Sequence, residues 1–415
     1  MRYGLIGEKL GHSFSKIIHE QLADYSYDLI PLTKEAFPVF MKQREFTAIN
    51  VTIPYKESVL PYLDSIDPKA AAIGAVNTIV HRGSRLYGYN TDYDGFRSLL
   101  GKHKINPKGK KVLILGKGGA AKACVAVMKD LGAKKILTVY YKENPETISY
   151  EACYQNHKDA QIIINTTPVG MYPKTEDSPI NLEPFKTLEA VVDVVYNPLR
   201  TKFVLDGLSR GVIAVGGLEM LLGQAQCAVE IFQGKKIDED LMQRLYADLL
   251  KERSNLVLIG MSGCGKSTLG KLAAQHLCKN FIDIDEEIVK EVNMPIKEFF
   301  AKMGEPAFRA LESRMVKKFS ALNGYVIATG GGVIKSSENI TELKKNGRIF
   351  WIKREVSLLE SGNGRPLAPD FAAAQRLYNE RLPLYTAAAE VICENNTTTE
   401  EGLARLLHVY ELILS

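Results

Sequence analysis

The sequence predicts an α/β protein whose strands belong to more than one sheet. The first observation is a recurring opening: a short apolar strand that runs into a glycine turn. It occurs as MRYGLIG at 1–7, KKVLILGKGGAAKACVAVMKDLG at 110–132 and NLVLIGMSGCGKSTLGKLAAQHL at 255–277. In the last two, a helix with an apolar period of about 3.6 follows, which is how a parallel α/β unit begins. The second observation is length, since 415 residues exceed one ordinary core and suggest about two to three domains. The third is punctuation. GKHKINPKGKK (101–111) is rich in Lys, Gly and Pro, as strand lead-ins are. KKIDEDLMQRLYADLLKERSN (235–255) places Leu241, Leu245, Leu249 and Leu250 on one apolar stripe, as in a closing helix before a junction. The expected domains are 1–100, 101–250 and 254–415.

Composition narrows the function. The chain is 46% hydrophobic and 24% charged, with a net charge of only +5 and both signs mixed along it. Bulk electrostatics therefore support neither nucleic-acid nor membrane binding, and fit a solvated surface with small anionic ligands. Cys124, Cys153, Cys227, Cys264, Cys278 and Cys393 include no CxxC spacing, so reduced thiols are expected rather than a disulfide framework or a zinc site. MRYGLIGEKLGHS lacks an apolar signal region, and no stretch reaches ~18 uninterrupted apolar residues. A soluble, cytoplasmic protein is expected. Oligomeric state is left open, a homo-oligomer included.

GMSGCGKS (260–267) matches the phosphate-binding pattern G-x-x-x-x-G-K-[ST], between an apolar strand and an amphipathic helix. Backbone N–H groups of Gly263, Gly265 and the following helix N-terminus, with Thr268, are expected to cradle phosphate oxygens. Lys266 is expected to reach the β- and γ-phosphates of ATP, and Ser267 to ligate Mg²⁺. In FIDIDEEI (281–288), Asp283 and Asp285 alternate with apolar residues, which reads as one side of a strand end. One can hold Mg²⁺ and the other can accept a hydroxyl proton, although a plain N-cap is the alternative. GEPAFRALES (304–313) supplies Arg309 and Glu312. VIATGGGVI (326–334) supplies Gly330, Gly331 and Gly332, which let a small anion approach the backbone. GNGRPLAPD (362–370) and YNERLPLY (378–385) add Arg365, on a candidate lid, and Arg381.

These motifs in this order resemble shikimate kinase over about 254–400. The resemblance implies a P-loop kinase domain with a parallel sheet. It implies that Asp285, Arg309, Gly331 and Arg381 hold shikimate, with Asp285 as the base. Asp283 and Ser267 would surround Mg²⁺, and Arg365 would be the lid arginine. The sequence departs from the family in a short lid, LLESGNG, with no second arginine upstream of RPL, and in IVKE where a glutamate usually follows DxD.

LILGKGGAAKA (113–123) reads as G-x-G-x-x-[GA] through Gly116, Gly118 and Ala121, with Gly119 and Ala120 between them. Set in a βαβ context, with ILTVYY (136–141) as the second strand, it predicts a Rossmann-type dinucleotide domain with pyrophosphate at the helix N-terminus. The preceding α/β segment carries polar clusters at the ends of apolar runs. GHSFS gives Ser13 and Ser15, alternating on an extended turn. AINVTIPYKES gives Asn50, Thr52 and Lys56, with Ile49-Val51-Ile53 reading as a strand that Pro54 ends. GAVNTIV gives Asn77, and LYGYNTDYDGF gives Asn90, Thr91 and Asp92. A Lys/Asp pair suits carbonyl reduction, because the developing alkoxide needs a proton and a positive charge.

The order SxS, NVTxPxK, GAVNT, NTDxxG, GxGGAAKA, NTTPVGM (165–171), DVVYNP (193–198) and GLEMLLGQA (217–225) resembles shikimate dehydrogenase over roughly 3–250. The resemblance implies an N-terminal α/β substrate domain, with Lys56 and Asp92 as the catalytic pair. It implies substrate contacts from Ser13, Ser15, Thr52, Asn77, Tyr196 and Gln224. The family's NADP users place Asn-Arg-Thr after the second strand; here Tyr140-Tyr141-Lys142 stands there. Lys142 can pair with a 2′-phosphate as a point charge, which favours NADP(H). The combined expectation is a bifunctional enzyme using NADP(H), ATP and Mg²⁺ on 3-dehydroshikimate and shikimate. A competing reading keeps the folds but gives the reductase quinate and makes the kinase-like half a regulatory module.

Overall fold

The computed structural model describes residues 2–11, 14–142, 144–359 and 371–414. The chain divides into two compact units, Met1–Tyr246 and Ala247–Ser415. Among the described residues, no helix is long and apolar enough to cross a membrane.

The first unit contains two sheets. One holds β1 (Tyr3–Gly7), β2 (Tyr27–Pro31), β3 (Ala48–Val51), β4 (Ser65–Ile66), β5 (Thr78–Arg82) and β6 (Arg85–Tyr89), in the order β2-β1-β3-β5-β6-β4. β1 runs parallel to β2 and β3, and β5 is antiparallel to β3 and β6. The other sheet holds β7 (Lys111–Leu115), β8 (Lys135–Val139), β9 (Ile162–Asn165), β10 (Ala190–Asp193) and β11 (Ile213–Val215), in the order β11-β10-β9-β7-β8. All its ladders are parallel. β9 and β10 are buried along their whole length, as strands covered on both faces must be.

The second unit is built on β12 (Asn255–Ile259), β13 (Asn280–Asp283), β14 (Tyr325–Ala328), β15 (Gly347–Lys353) and β16 (Val391–Glu394). Their order is β13-β14-β12-β15-β16, again all parallel. β12 is buried throughout at the centre of this sheet, so its C-terminal end opens in the middle of the sheet edge where α/β ligand sites form.

Four local expectations differ from the structure. β3 stops at Val51 and Ile53 is 70% exposed, so apolar alternation overran the strand. β8 stops at Val139 rather than Tyr141, because Ile148 recaptures the chain: Tyr140 N–H donates to Ile148 O, and Ile148 N–H to Thr138 O, both at 2.9 Å. Ser15 begins the helix Ser15–Leu22 and Phe14 already has right-handed helical backbone, so Ser15 does not lie on an extended turn. The buried stripe of the helix Glu239–Arg253 is Met242, Leu245 and Leu249, with Met242 taking the place expected of Leu241.

Candidate active sites

In the first unit, the chain leaves β3 through Thr52 and Pro54 and brings Lys56 to the head of a helix. That helix is Thr91–Lys102, with Asp92 in its first turn and Asn90 as N-cap, accepting from Tyr93 N–H. A carboxylate there is favoured by the helix's positive end. Lys56 Nζ donates to Asp92 Oδ2 at 2.6 Å, with side chains only 15% and 9% exposed. A buried polar chain fixes this position. The Tyr27 hydroxyl donates to Asn50 Oδ1 at 2.7 Å, and Asn50 Nδ2 to Thr78 Oγ1 at 3.0 Å. Asn77 Oδ1 accepts from Thr91 N–H at 2.8 Å, and Asn77 Nδ2 donates to Thr91 Oγ1 at 3.1 Å. Thr91 Oγ1 also reaches Gln224 Oε1 at 3.4 Å.

The glycine loop after β7 comes to the same place. Gly116 has φ +108°, and a Cβ on it would stand 2.6 Å from Thr166 Oγ1. Gly118 caps the helix Gly119–Asp130, on whose first turn lie Ala120 and the buried Ala121. A Cβ on Gly119 would lie 3.1 Å from Lys56 Cδ, so the loop passes directly over the lysine. Lys142 is exposed beyond β8, its Nζ 5.6 Å from the Tyr141 ring centre. Tyr196 lies 5.2 Å, ring to ring, from Phe14, beside the buried Ser15. Ser13 lies outside the described residues.

Two supports lie inside NTDxxG, GLEMLLGQA and DVVYNP, at residues to which the motifs alone give no role. The helices Thr91–Lys102 and Leu218–Gln233 cross at glycines: a Cβ on Gly95 would stand 2.6 Å from Met220 O and 2.7 Å from Gln224 N. One on Gly223 would stand 3.1 Å from Gly95 Cα. This crossing sets Thr91 against Gln224. Asp193, at the end of β10, is fully buried and accepts from Asn165 Nδ2, Val195 N–H and Thr201 Oγ1 at 3.0, 3.0 and 2.6 Å. Burial pushes its carboxyl up to about 7, against those hydrogen bonds.

In the second unit, β12 ends in a loop with Gly260, Gly263 and Gly265 at φ +145°, +80° and +98°. Lys266 is 7% exposed, and its Nζ donates to Gly260 O and Met261 O, both at 2.9 Å. Ser267 Oγ donates to Asp283 Oδ2 at 2.5 Å, and Thr268 follows on the exposed side. Asp283 ends β13 and N-caps the helix Ile284–Val292 through Asp285 N–H at 3.0 Å. Asp283 and Asp285 therefore do not share a strand face; Asp285 belongs to the helix, and capping and site placement coexist in Asp283. Asp285 Oδ1 is buried with no hydrogen-bond partner, and burial, then the charge of Asp283, raise its carboxyl to about 6.

Glu312 converges on the same point. It is 1% exposed, its Oε2 accepts from Arg309 Nη1 at 2.8 Å, and its Oε1 has no partner. A Cβ on Gly330 would lie 2.7 Å from Asp285 Oδ1 and 2.9 Å from Glu312 Oε1, so a pair of free carboxylate oxygens faces this glycine. Gly331 O accepts from Arg381 Nη1 at 2.8 Å and from the Tyr385 hydroxyl at 2.6 Å. A Cβ on Gly332 would collide with the Arg309 guanidinium. Asn395, which no motif marks, donates from Nδ2 to Cys264 O in the glycine loop at 2.8 Å. Arg365 lies outside the described residues.

The family model for the shikimate dehydrogenase substrate binding domain matches residues 5–79, and that for shikimate kinase matches 262–411. The shikimate dehydrogenase (NADP(+)) of Clostridium beijerinckii is 42% identical over 262 residues, covering 59% of this chain and 96% of that protein. The chain belongs to the shikimate dehydrogenase family. It carries, in addition, a C-terminal shikimate kinase domain. A solved shikimate dehydrogenase of Peptoclostridium difficile is 39% identical with TM-score 0.56, covering 60% of this chain and 98% of that one. The Thermus thermophilus shikimate dehydrogenase, solved with NADP(H) and shikimate, is 30% identical with TM-score 0.54, covering 59% and 97%. A chorismate mutase/shikimate 5-dehydrogenase fusion from Clostridium acetobutylicum is 38% identical with TM-score 0.55, covering 60% of this chain and 96% of that one. This shikimate dehydrogenase–kinase chain is thus an oxidoreductase joined to a transferase.

Proposed function

We propose that the first unit reduces 3-dehydroshikimate to shikimate with NADPH, and that the second phosphorylates the shikimate 3-hydroxyl with MgATP. The two halves would be consecutive steps, the hydroxyl made at one site being the acceptor at the other. The domains are 1–100 for substrate, 101–250 for dinucleotide and 254–415 for the kinase, in a cytoplasmic enzyme. The carrying observation is the buried Lys56–Asp92 contact directly beneath Gly119 of the dinucleotide loop.

The residues fit the absent groups. Gly118, at the head of the helix, has open space where a Cβ would stand, as a turn that brings its backbone up to a pyrophosphate requires. NADPH, when bound, supplies the hydride. Lys56 delivers the proton to the carbonyl oxygen as it becomes a hydroxyl. Asp92 orients the Lys56 ammonium and accepts from the neighbouring substrate hydroxyl. Ser13, Ser15, Thr52, Asn77, Tyr196 and Gln224 hold the ring's carboxylate and remaining hydroxyls. Lys142 meets the 2′-phosphate as a point charge.

In the second unit the positive-φ glycines aim backbone N–H groups at phosphate. Ser267 and Asp283 offer adjacent hard oxygen donors suited to Mg²⁺, whose chemistry is to neutralise phosphate charge. Lys266 binds phosphate oxygens once it leaves its own loop's carbonyls. Asp285 takes the acceptor's hydroxyl proton, while Arg309, Gly331 and Arg381 hold its carboxylate. Arg365 would supply a positive charge to the nucleotide's phosphates. One coupled assay tests the whole reading: 3-dehydroshikimate, NADPH and ATP given to the full chain should yield shikimate 3-phosphate. Accumulated shikimate without phosphorylation would exclude the kinase step, and NADH in place of NADPH should slow the first step.

A further inference from the structure

The acceptor arginine of the kinase is already occupied. Arg309 donates through both Nε and Nη2 to one oxygen, Glu305 Oε1, at 3.2 and 3.0 Å, while Nη1 goes to Glu312. The two glutamates are not equivalent. Glu312 is 1% exposed and fixed in the core, whereas Glu305 is 39% exposed. Glu305 also sits at a break: the helix Ile296–Ser320 loses helical geometry at Gly304, with φ +80° and ψ +169°, and Pro306 follows. A second cation stands ready, since Lys335 Nζ lies 3.5 Å from the same Glu305 oxygen. A cavity of about 390 Å³ opens here, lined among others by Glu305, Arg309, Glu312, Gly332 and Lys335.

A guanidinium presents a paired N–H edge that matches a carboxylate, and Glu305 covers the Nε–Nη2 edge. We infer that Glu305 is a displaceable stand-in for the acceptor's carboxylate, holding Arg309 in the free enzyme and passing to Lys335 when the acceptor binds. Glu305 is then a positioning and specificity residue. Only a ligand bearing its own negative charge can take the Nε–Nη2 edge from it without leaving that edge without an anion, so neutral ring polyols are rejected. This inference rests on the proposed binding of shikimate by Arg309.

The test uses the full chain and two readouts: calorimetric titration with shikimate in the absence of nucleotide, and acceptor-dependent ATP turnover. Removing the competitor should tighten the acceptor. E305A is expected to lower both the Kd and the KM for shikimate about two- to fivefold, the range for a part-exposed ion pair, with E305Q changing them less in the same direction. K335A should weaken shikimate binding in the wild-type background, because Glu305 then has nowhere else to go, and should lose that effect in the E305A background. Weaker or unchanged binding in E305A would show that Glu305 merely positions Arg309 and would overturn the inference. So would an equal loss from K335A in both backgrounds, which would mean that Lys335 touches the acceptor itself. A wild-type chain that neither binds nor phosphorylates shikimate would instead defeat the underlying kinase reading.

Discussion

The two sites hold their charges differently. In the reductase cleft, Lys56 and Asp92 neutralise each other, and the Asn50–Thr78–Asn77–Thr91 chain holds the carboxylate's helix in place. In the kinase, Lys266 is bonded to its own loop's carbonyls and Arg309 to Glu305, while Asp285 and Glu312 each keep a free buried oxygen. The difference follows from the chemistry proposed for each. Carbonyl reduction needs one proton beside one developing charge, so a preassembled pair suffices. Phosphoryl transfer brings several negative charges and a cation, so the unliganded site must balance its cations with internal partners that later give way.

Four changes would break or sharpen this contrast. The largest effect is expected from Lys56→Ala, which should slow NADPH oxidation by about 10²–10⁴-fold, the usual worth of a positioned acid–base group. Phosphorylation of supplied shikimate should persist; loss of both rates would mean that the sites are not independent. Next is Gly95→Ala. Its methyl would meet backbone atoms of Met220 and Gln224 at 2.6–2.7 Å, so the crossing must open. Overpacking of this kind costs about 1–3 kcal/mol, and a lower denaturation midpoint together with a lost reductase kcat should report it. An unchanged reductase would show that the cleft does not depend on a fixed helix crossing.

Lys142→Ala should raise the KM for NADPH several-fold at low salt, less at high salt, and leave NADH alone, since an exposed point charge is screened. Equal effects on both cofactors would exclude a 2′-phosphate contact. The smallest effect concerns Asp193. Its folded carboxyl titrates near 7 against an ordinary value of 3.8, so its contribution to stability is full below about 3.8 and is lost as pH rises through about 7. Wild type should therefore lose urea resistance relative to Asp193→Asn between pH 5 and 8. A parallel pair of curves would show that Asp193 is not the titrating group.

Local order was legible in the sequence wherever its cause is local. The glycine loops at 116–119 and 260–265 follow apolar strands and open helices, and positive φ at Gly116, Gly260, Gly263 and Gly265 needs residues without a Cβ. Pattern misled where one alternation suited two structures. Asp283-Ile284-Asp285 reads equally as strand or as cap and first helical turn, and only the capping bonds decide it. Glu305 was likewise visible in GEPAFRALES, but nothing in that string says that its carboxylate occupies Arg309.

What the sequence by itself determined is the set of units: strand, phosphate turn and helix, with an order of polar clusters that resembles two enzymes. Those follow from backbone sterics and hydrophobic period within windows of a few turns. The tertiary structure alone decided which polar groups meet. Lys56 finds Asp92 across 36 positions, and Asn395 finds the Cys264 carbonyl across 131. Gly95 and Gly223 let two helices touch backbone to backbone. Such contacts depend on how sheets and helices pack in space, and no local window of sequence contains both partners.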